Sequence, residues 1–217
     1  MFEEKLNELK REIINYAFLV ERMIEKSING LLEKKEELLR EVIERDEIEA
    51  NDFEIKIDEL AITTIAKYEP KGKDLREVLM ILKINNDLER MADHAVNICE
   101  SALFLIERPK VKPFTEINKI ANETIKMLKD SIDSFIEENT KKAKSVCERD
   151  YIVDDLNSSI SKELISYMMC DPGAIERCMH IMRISNNIER IADLSTNISE
   201  DVIFMVEGKV IKHHREE

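Results

Sequence analysis

Tryptophan is absent from this sequence of 217 residues, aromatic residues make up 5% of it, and glycine and proline number four each. A β-rich fold needs aromatic and β-branched strands joined by many glycine- and proline-containing turns, so this composition disfavours one. No run approaches the roughly eighteen apolar residues of a membrane span, and the amino terminus is charged where a signal peptide would be apolar. These absences predict an all-α cytoplasmic protein that reaches a membrane only through a partner.

Positive charge and paired cysteines are also lacking. The formal net charge of −13 repels phosphate backbones, so we expect cations and no nucleic acid as ligands. The four cysteines form no CxxC pair, which excludes zinc ribbons and thioredoxin-like motifs. In a cytoplasmic chain we expect all four to be reduced, buried thiols.

The few glycines and prolines divide the chain into helical segments. Breakers at 70–72, 109–113, 172–173 and 208 leave residues 73–108 and 174–207 as one long helix each. The segment on the N-terminal side of each of these helices is longer and needs a turn. We place these turns at 33–36 and at 139–140, where Asn139 can cap the next helix. The chain therefore predicts six long helices in two pseudo-symmetric three-helix bundles, 1–108 and 114–208, followed by a tail, 209–217.

A repeat supports this duplication. Residues 84–100 and 184–200 are identical at nine of seventeen positions. The matched residues are mostly polar and follow i+3 and i+4 steps, which places them in one stripe on a helix, apart from its apolar face. The polar pairs are Asn86 and Asn186, Glu89 and Glu189, Arg90 and Arg190, Asp93 and Asp193, Asn97 and Asn197, and Glu100 and Glu200.

Acidic residues one helical turn apart indicate a metal site. Glu89 and Asp93 repel each other at i and i+4, and the same cost recurs in the repeat. If such pairs face one another across a bundle, a bound cation would offset their repulsion, and oxygen ligands suit Mg, Ca or Mn, with Fe and Zn also bound by carboxylates. The candidate ligands are Glu47, Asn51, Glu89, Asp93, Asp150, Asp154, Glu189 and Asp193, with Asn97, Glu100, Asn197 and Glu200 as further members of the stripe.

The chain resembles the PhoU family of phosphate-uptake regulators over nearly its whole length. The resemblance is carried by LERMAD and IERIAD, by KGKDLREVLMILKINNDLERMAD after a proline, by YMMCDPGAI, and by NISEDVIFMVEGKVIKH at the end. It implies two three-helix bundles in a cytoplasmic, often dimeric protein that represses phosphate-starvation signalling and restrains phosphate uptake. It also implies two partners, the ATPase of the phosphate ABC transporter and the phosphate sensor histidine kinase.

The family's metal-binding motif is a pair of E(D)xxxD sequences in each bundle, which in some relatives binds iron, zinc, magnesium or manganese. The resemblance carries this role to Asp150 with Asp154 and to Glu189 with Asp193. In the first half Asn51 stands where the motif has a carboxylate. We therefore expect a weaker site, or one with fewer ions, in the first half.

Two other functions remain open. The polar stripes could be docking faces of a metal-free helical adaptor, for the ABC transporter or another phosphate permease, with Arg90 and Arg190 forming salt bridges inside them. A metal-dependent enzyme on a carboxylate-lined bundle is the other. It is disfavoured because no histidine follows a glutamate by three residues, as di-iron oxidases require, and because no glycine-rich phosphate loop is present.

Overall fold

The protein is built from α-helices. A computed structural model describes residues 1–112 and 114–208, and these two ranges contain no β-strand. The predicted all-α class is confirmed, and the predicted tail, 209–217, lies outside the described residues. The helices are α1 (Phe2–Glu33), α2 (Glu36–Glu41), α3 (Glu47–Tyr68), α4 (Lys73–Ile106), α5 (Thr115–Ile136), α6 (Thr140–Cys147), α7 (Asp150–Cys170) and α8 (Ile175–Glu207).

The six predicted helical spans are present, but the second span of each half is interrupted. A π-helical turn, Val42–Asp46, joins α2 to α3, and Glu148 and Arg149 separate α6 from α7. The π turn changes the direction in which its side chains point, and the buried Asp46 accepts a hydrogen bond from Lys26 of α1 at 2.7 Å. Because neither interruption contains glycine or proline, the sequence pattern gave no sign of them.

Both predicted turns between helices are confirmed. Lys34 ends α1 in the left-handed conformation with φ of 57°, and the Lys35 amide donates to the Gly30 carbonyl at 2.9 Å. Asn139 caps α6, because its side-chain oxygen accepts from the amides of Lys141 at 3.2 Å and Lys142 at 3.1 Å.

The two halves meet along α4 and α8, which run antiparallel. Lys83 near the start of α4 donates to Asp201 near the end of α8 at 2.9 Å, and Arg183 donates to Glu100 at 3.1 Å. The repeated halves are therefore related by an approximate twofold axis through this contact. One apolar core includes residues from both halves, and the bundle limits at 1–108 and 114–208 stay a prediction.

The expectation of four buried cysteines is only half right. Cys99 and Cys178 are buried, but Cys147 is half-buried and Cys170 is exposed. Cys170 is the last residue of α7, beside the Asp171–Pro172 turn. A helix end beside a surface turn has little core around it, which is why that thiol faces solvent.

Replacing Gly30 by alanine tests how closely α1 approaches α2. A Cβ at this position would lie 2.5 Å from Leu39 Cδ2 and 2.7 Å from Leu39 Cγ, and Leu39 is completely buried. Alanine gains up to about 1 kcal/mol of helix propensity, but overpacking costs about 1–3 kcal/mol. We expect Gly30→Ala to lower the free energy of unfolding in urea denaturation. Asn29→Ala, at the exposed neighbouring position, should not lower it, and equal stability of the two variants would contradict the close contact.

Candidate metal centre

The second half of the chain gathers four acidic side chains between α7 and α8. Asp150 and Asp154 lie one turn apart on α7, and Glu189 and Asp193 lie one turn apart on α8. One ligand oxygen from each of Asp150, Asp154 and Asp193 lies within 4.8 Å of the others. We call these four residues the second cluster. The structure thus brings together the carboxylates that the sequence proposed for this half.

The electrostatics of the second cluster are those of crowded like charges. Burial and the neighbouring Asp193 raise the pKa of Glu189, and Asp154 and Asp150 contribute to the same shift. Burial also raises the pKa of Asp193, although Arg190 opposes it through a hydrogen bond at 2.9 Å. Arg190 is exposed and lies 3.5 Å from Glu189 as well. One arginine at the rim therefore offsets part of the repulsion.

The first half has acidic side chains on α3 and α4 whose charges act on one another. Within residues 1–112 and 114–208, however, three carboxylate ligand atoms come within 4.8 Å of one another only at Asp150, Asp154 and Asp193. Burial, then Asp93 and Glu100, raise the pKa of Glu47. The pKa of Glu89 rises through burial and through the charges of Asp93 and Glu54. Asn51 is exposed on α3. The carboxylates predicted for this half therefore act on one another, and so does Glu54, which lies outside the predicted E(D)xxxD spacing.

Glu54 could have been found from the helical pattern. Glu47, Asn51 and Glu54 follow steps of four and three residues, so they lie on one face of α3. A motif with a fixed spacing of four residues ends at Asn51 and does not reach the next turn. We call Glu47, Glu54, Glu89 and Asp93 the first cluster. No lysine, arginine or histidine nitrogen in residues 1–112 and 114–208 lies within 4.0 Å of its carboxylate oxygens.

Two further residues of the predicted stripe are used in the contact between the halves. Arg183 of α8 donates to the side-chain oxygen of Asn97 at 2.6 Å and to Glu100 at 3.1 Å. The side-chain nitrogen Nδ2 of Asn97 donates to the backbone carbonyl of Asp93 at 3.0 Å. The two bonds from Arg183 hold α8 against α4 beside the first cluster, and the Asn97–Asp93 bond lies within α4.

Asn197 and Glu200 line a cavity at the other end of the α4–α8 contact. The cavity measures about 570 Å³, and Lys83, Asp87 and Asp201 also line it. Burial and the nearby Asp201 raise the pKa of Asp87 to about 6. Asn197 and Glu200 thus lie at the opposite end of the α4–α8 contact from Asn97 and Glu100.

The histidines of the described chain take part in the α4–α8 contact. His94 Nδ1 lies 2.8 Å from the side-chain oxygen of Asn187, and the His180 ring stacks on Phe104 with centroids 3.9 Å apart. The donors assembled at the second cluster are consequently carboxylate oxygens. Carboxylate oxygens bind hard divalent cations and iron better than they bind soft metals.

The helices within residues 1–112 and 114–208 include none with the length and apolar character of a membrane span.

Fold and site together define a duplicated helical protein, with three helical spans and a set of acidic residues in each half of the described chain. The PhoU domain profile matches it twice, over residues 13–102 and 117–202. The chain belongs to the PhoU family.

Relatives resemble the chain over nearly its full length. A phosphate-specific transport system accessory protein PhoU homolog from Aquifex aeolicus is 40% identical over 98% of this chain and 96% of its own. PhoU homolog 2 of Thermotoga maritima is 35% identical over 100% of this chain and 92% of its own. The crystal structure of PhoU from Pseudomonas aeruginosa superposes with a TM-score of 0.93 at 31% identity, covering 96% of this chain and 100% of that one.

Replacing Glu189 by glutamine tests the crowding of charge in the second cluster. A carboxyl whose pKa is raised by folding binds its proton more tightly in the folded protein, so its ionisation lowers stability as pH rises. With a chelator present, we expect the free energy of unfolding of Glu189→Gln to exceed that of the parent by roughly a few tenths of a kcal/mol at neutral pH. The two should be equal at about pH 4. Urea denaturation measures both.

The exposed Glu25 of α1 provides the control. Glu25→Gln should show no such dependence on pH. A Glu189→Gln protein less stable than the parent at neutral pH would show that Glu189 is held by attraction.

Proposed function

We propose that this chain is a non-enzymatic, cytoplasmic regulator of phosphate uptake and phosphate-starvation signalling that binds cations and restrains a phosphate transporter. The family supports the role in phosphate transport, because the similar proteins are accessory proteins of phosphate-specific transport systems. A crystal structure with a TM-score of 0.90 is that of the phosphate transport system regulatory protein PhoU from Streptococcus pneumoniae. The sequence also lacks the Glu-x-x-His pairs of di-iron oxidases and a glycine-rich phosphate loop, which disfavours an enzyme.

The observation that carries the metal function is the convergence of Asp150, Asp154 and Asp193 within 4.8 Å. A bound Mg, Mn, Fe or Zn ion would supply positive charge where these carboxylates repel one another. Asp150 and Asp154 would hold it from α7, and Asp193 with Glu189 from α8. Because the ligands come from two helices, occupancy would be coupled to the packing of α7 against α8.

The partners we propose are the ATPase of the phosphate ABC transporter and the phosphate sensor histidine kinase, with the protein acting as a homodimer. The chain's strong negative charge favours partner surfaces that carry basic residues. The alternative is a metal-free adaptor for another phosphate permease. It is supported by Arg190, whose positive charge contacts Asp193 and Glu189.

Binding to the purified transporter ATPase tests the proposal. We expect Mn²⁺ to strengthen binding of the parent about tenfold relative to a chelator, a typical size for coupling between two sites. Asp154→Asn should remove this dependence because it takes a carboxylate from the second cluster. Biolayer interferometry measures both affinities.

The matched control is Asp155→Asn, which changes the adjacent exposed residue of α7 and should respond to Mn²⁺ as the parent does. Equal binding with and without Mn²⁺ in every variant would favour the metal-free adaptor. No binding to the ATPase would contradict the proposed partner.

A further inference from the structure

We propose that Glu54, and not Asn51, completes the first cluster as a cation ligand, and that the buried phenol of Tyr16 donates a hydrogen bond to this cluster. The inference rests on the proposed metal function and concerns which residues serve it in the first half. Four features of the structure support it: a buried hydroxyl, the anchoring of α3, the number of carboxylates, and the position of the arginines.

The hydroxyl of Tyr16 on α1 makes no hydrogen bond that would stabilise the core. The residue is completely buried, and its hydroxyl has no hydrogen-bond partner among the described residues. A buried hydroxyl without a partner costs about 1–3 kcal/mol, so phenylalanine would serve the core better. This unpartnered hydroxyl points to an acceptor that becomes available when a ligand orders the neighbouring side chains.

The acceptor is on the face of α3 that Tyr16 meets. The Tyr16 ring stacks on Phe53 with centroids 5.6 Å apart and an interplanar angle of 8°. The next residue is Glu54, which is half-buried. Burial, then the charges of Glu54, Glu89 and Asp93, raise the pKa of Tyr16. The charges of three of the four acidic residues of the first cluster therefore reach the Tyr16 phenol, which stacks on the residue next to Glu54 and has a proton to donate to a carboxylate.

The backbone at Glu54 is fixed to α4. The side-chain nitrogen of Asn85 donates to the backbone carbonyl of Glu54 at 3.0 Å and to the Asp58 carboxylate at 2.9 Å. Asn85 is buried and lies one turn before Glu89 on the same helix. This contact sets the register of α3 against α4, so that Glu54 and Glu89 stay close to each other.

Glu54 restores the number of charges that Asn51 removes. At the equivalent turn of the second half, α7 has Asp154 and then Asn157, whereas α3 has Asn51 and then Glu54. Carboxylate and amide have exchanged places over one turn. With Glu54 the first cluster has four carboxylates, as the second does, and the longer glutamate side chain spans part of the shift.

The arginines of the repeat are placed differently in the two halves. Arg190 lies against its own cluster, but Arg90 has its ion pair with Asp87, at 3.7 Å. The first cluster therefore depends more than the second on a cation that does not come from the described chain.

Binding of Mn²⁺ to a chain whose second cluster has been disabled tests the inference. In the Asp154→Asn, Asp193→Asn background, calorimetry should report the remaining site. Adding Glu54→Gln should weaken that site at least about tenfold, whereas Asn51→Ala should leave it unchanged. Tyr16→Phe should weaken it about tenfold and leave stability in chelator unchanged or higher, since it removes an unpartnered hydroxyl.

A near-ultraviolet difference spectrum provides a second measurement. The chain has no tryptophan and four tyrosines, so binding of Zn²⁺ beside Tyr16 should give a tyrosine signal that Tyr16→Phe removes. Loss of Mn²⁺ binding with Asn51→Ala but not with Glu54→Gln would overturn the assignment of Glu54. Unchanged affinity and spectrum in Tyr16→Phe would overturn that of Tyr16. In either case Mn²⁺ binding by the parent would leave the proposed function standing, and no binding by the parent would overturn both.

Discussion

The antiparallel packing of α4 against α8 is the contact that joins the two halves and sets the position of one acidic cluster relative to the other. Each helix contributes its apolar side to the shared core and its acidic pair to the cluster of its own half. The ion pairs of Lys83 with Asp201 and of Arg183 with Glu100 tie the two ends of the contact. A sliding of one helix past the other would therefore disturb the shared core and change the position of one cluster relative to the other. The fold provides a rigid frame in which two acidic sites keep a fixed relation.

Within that frame the acidic clusters are held against their own repulsion. Two unit charges about 4 Å apart near a protein surface repel by up to roughly 4 kcal/mol when they are not screened, and the second cluster holds three carboxylate oxygens within 4.8 Å of one another. Arg190 offsets part of this from an exposed position, where an ion pair contributes little. A cation would act more directly, because it would contact several carboxylates at once.

The sequence predicted the fold better than it predicted the first cluster. Long helices, the turn at Lys34 and the Asn139 cap follow from local spacing and capping chemistry, which act along one segment. The π turn at 42–46 ends at Asp46, which pairs with Lys26 of α1, a contact between distant residues that no local pattern encodes. The role proposed for Glu54 likewise depends on which residues of α1 and α4 meet α3. A motif defined by a fixed spacing of four could not include it.

The central claim is that cations occupy the positions where these carboxylates converge. Anomalous scattering from crystals grown with Mn²⁺ tests it most directly, because the signal locates the ion itself. We expect one anomalous peak among Asp150, Asp154, Glu189 and Asp193, and another between α3 and α4 beside Glu54 and Glu89. Well-ordered clusters without any peak, with Arg190 still bonded to Asp193, would contradict the claim.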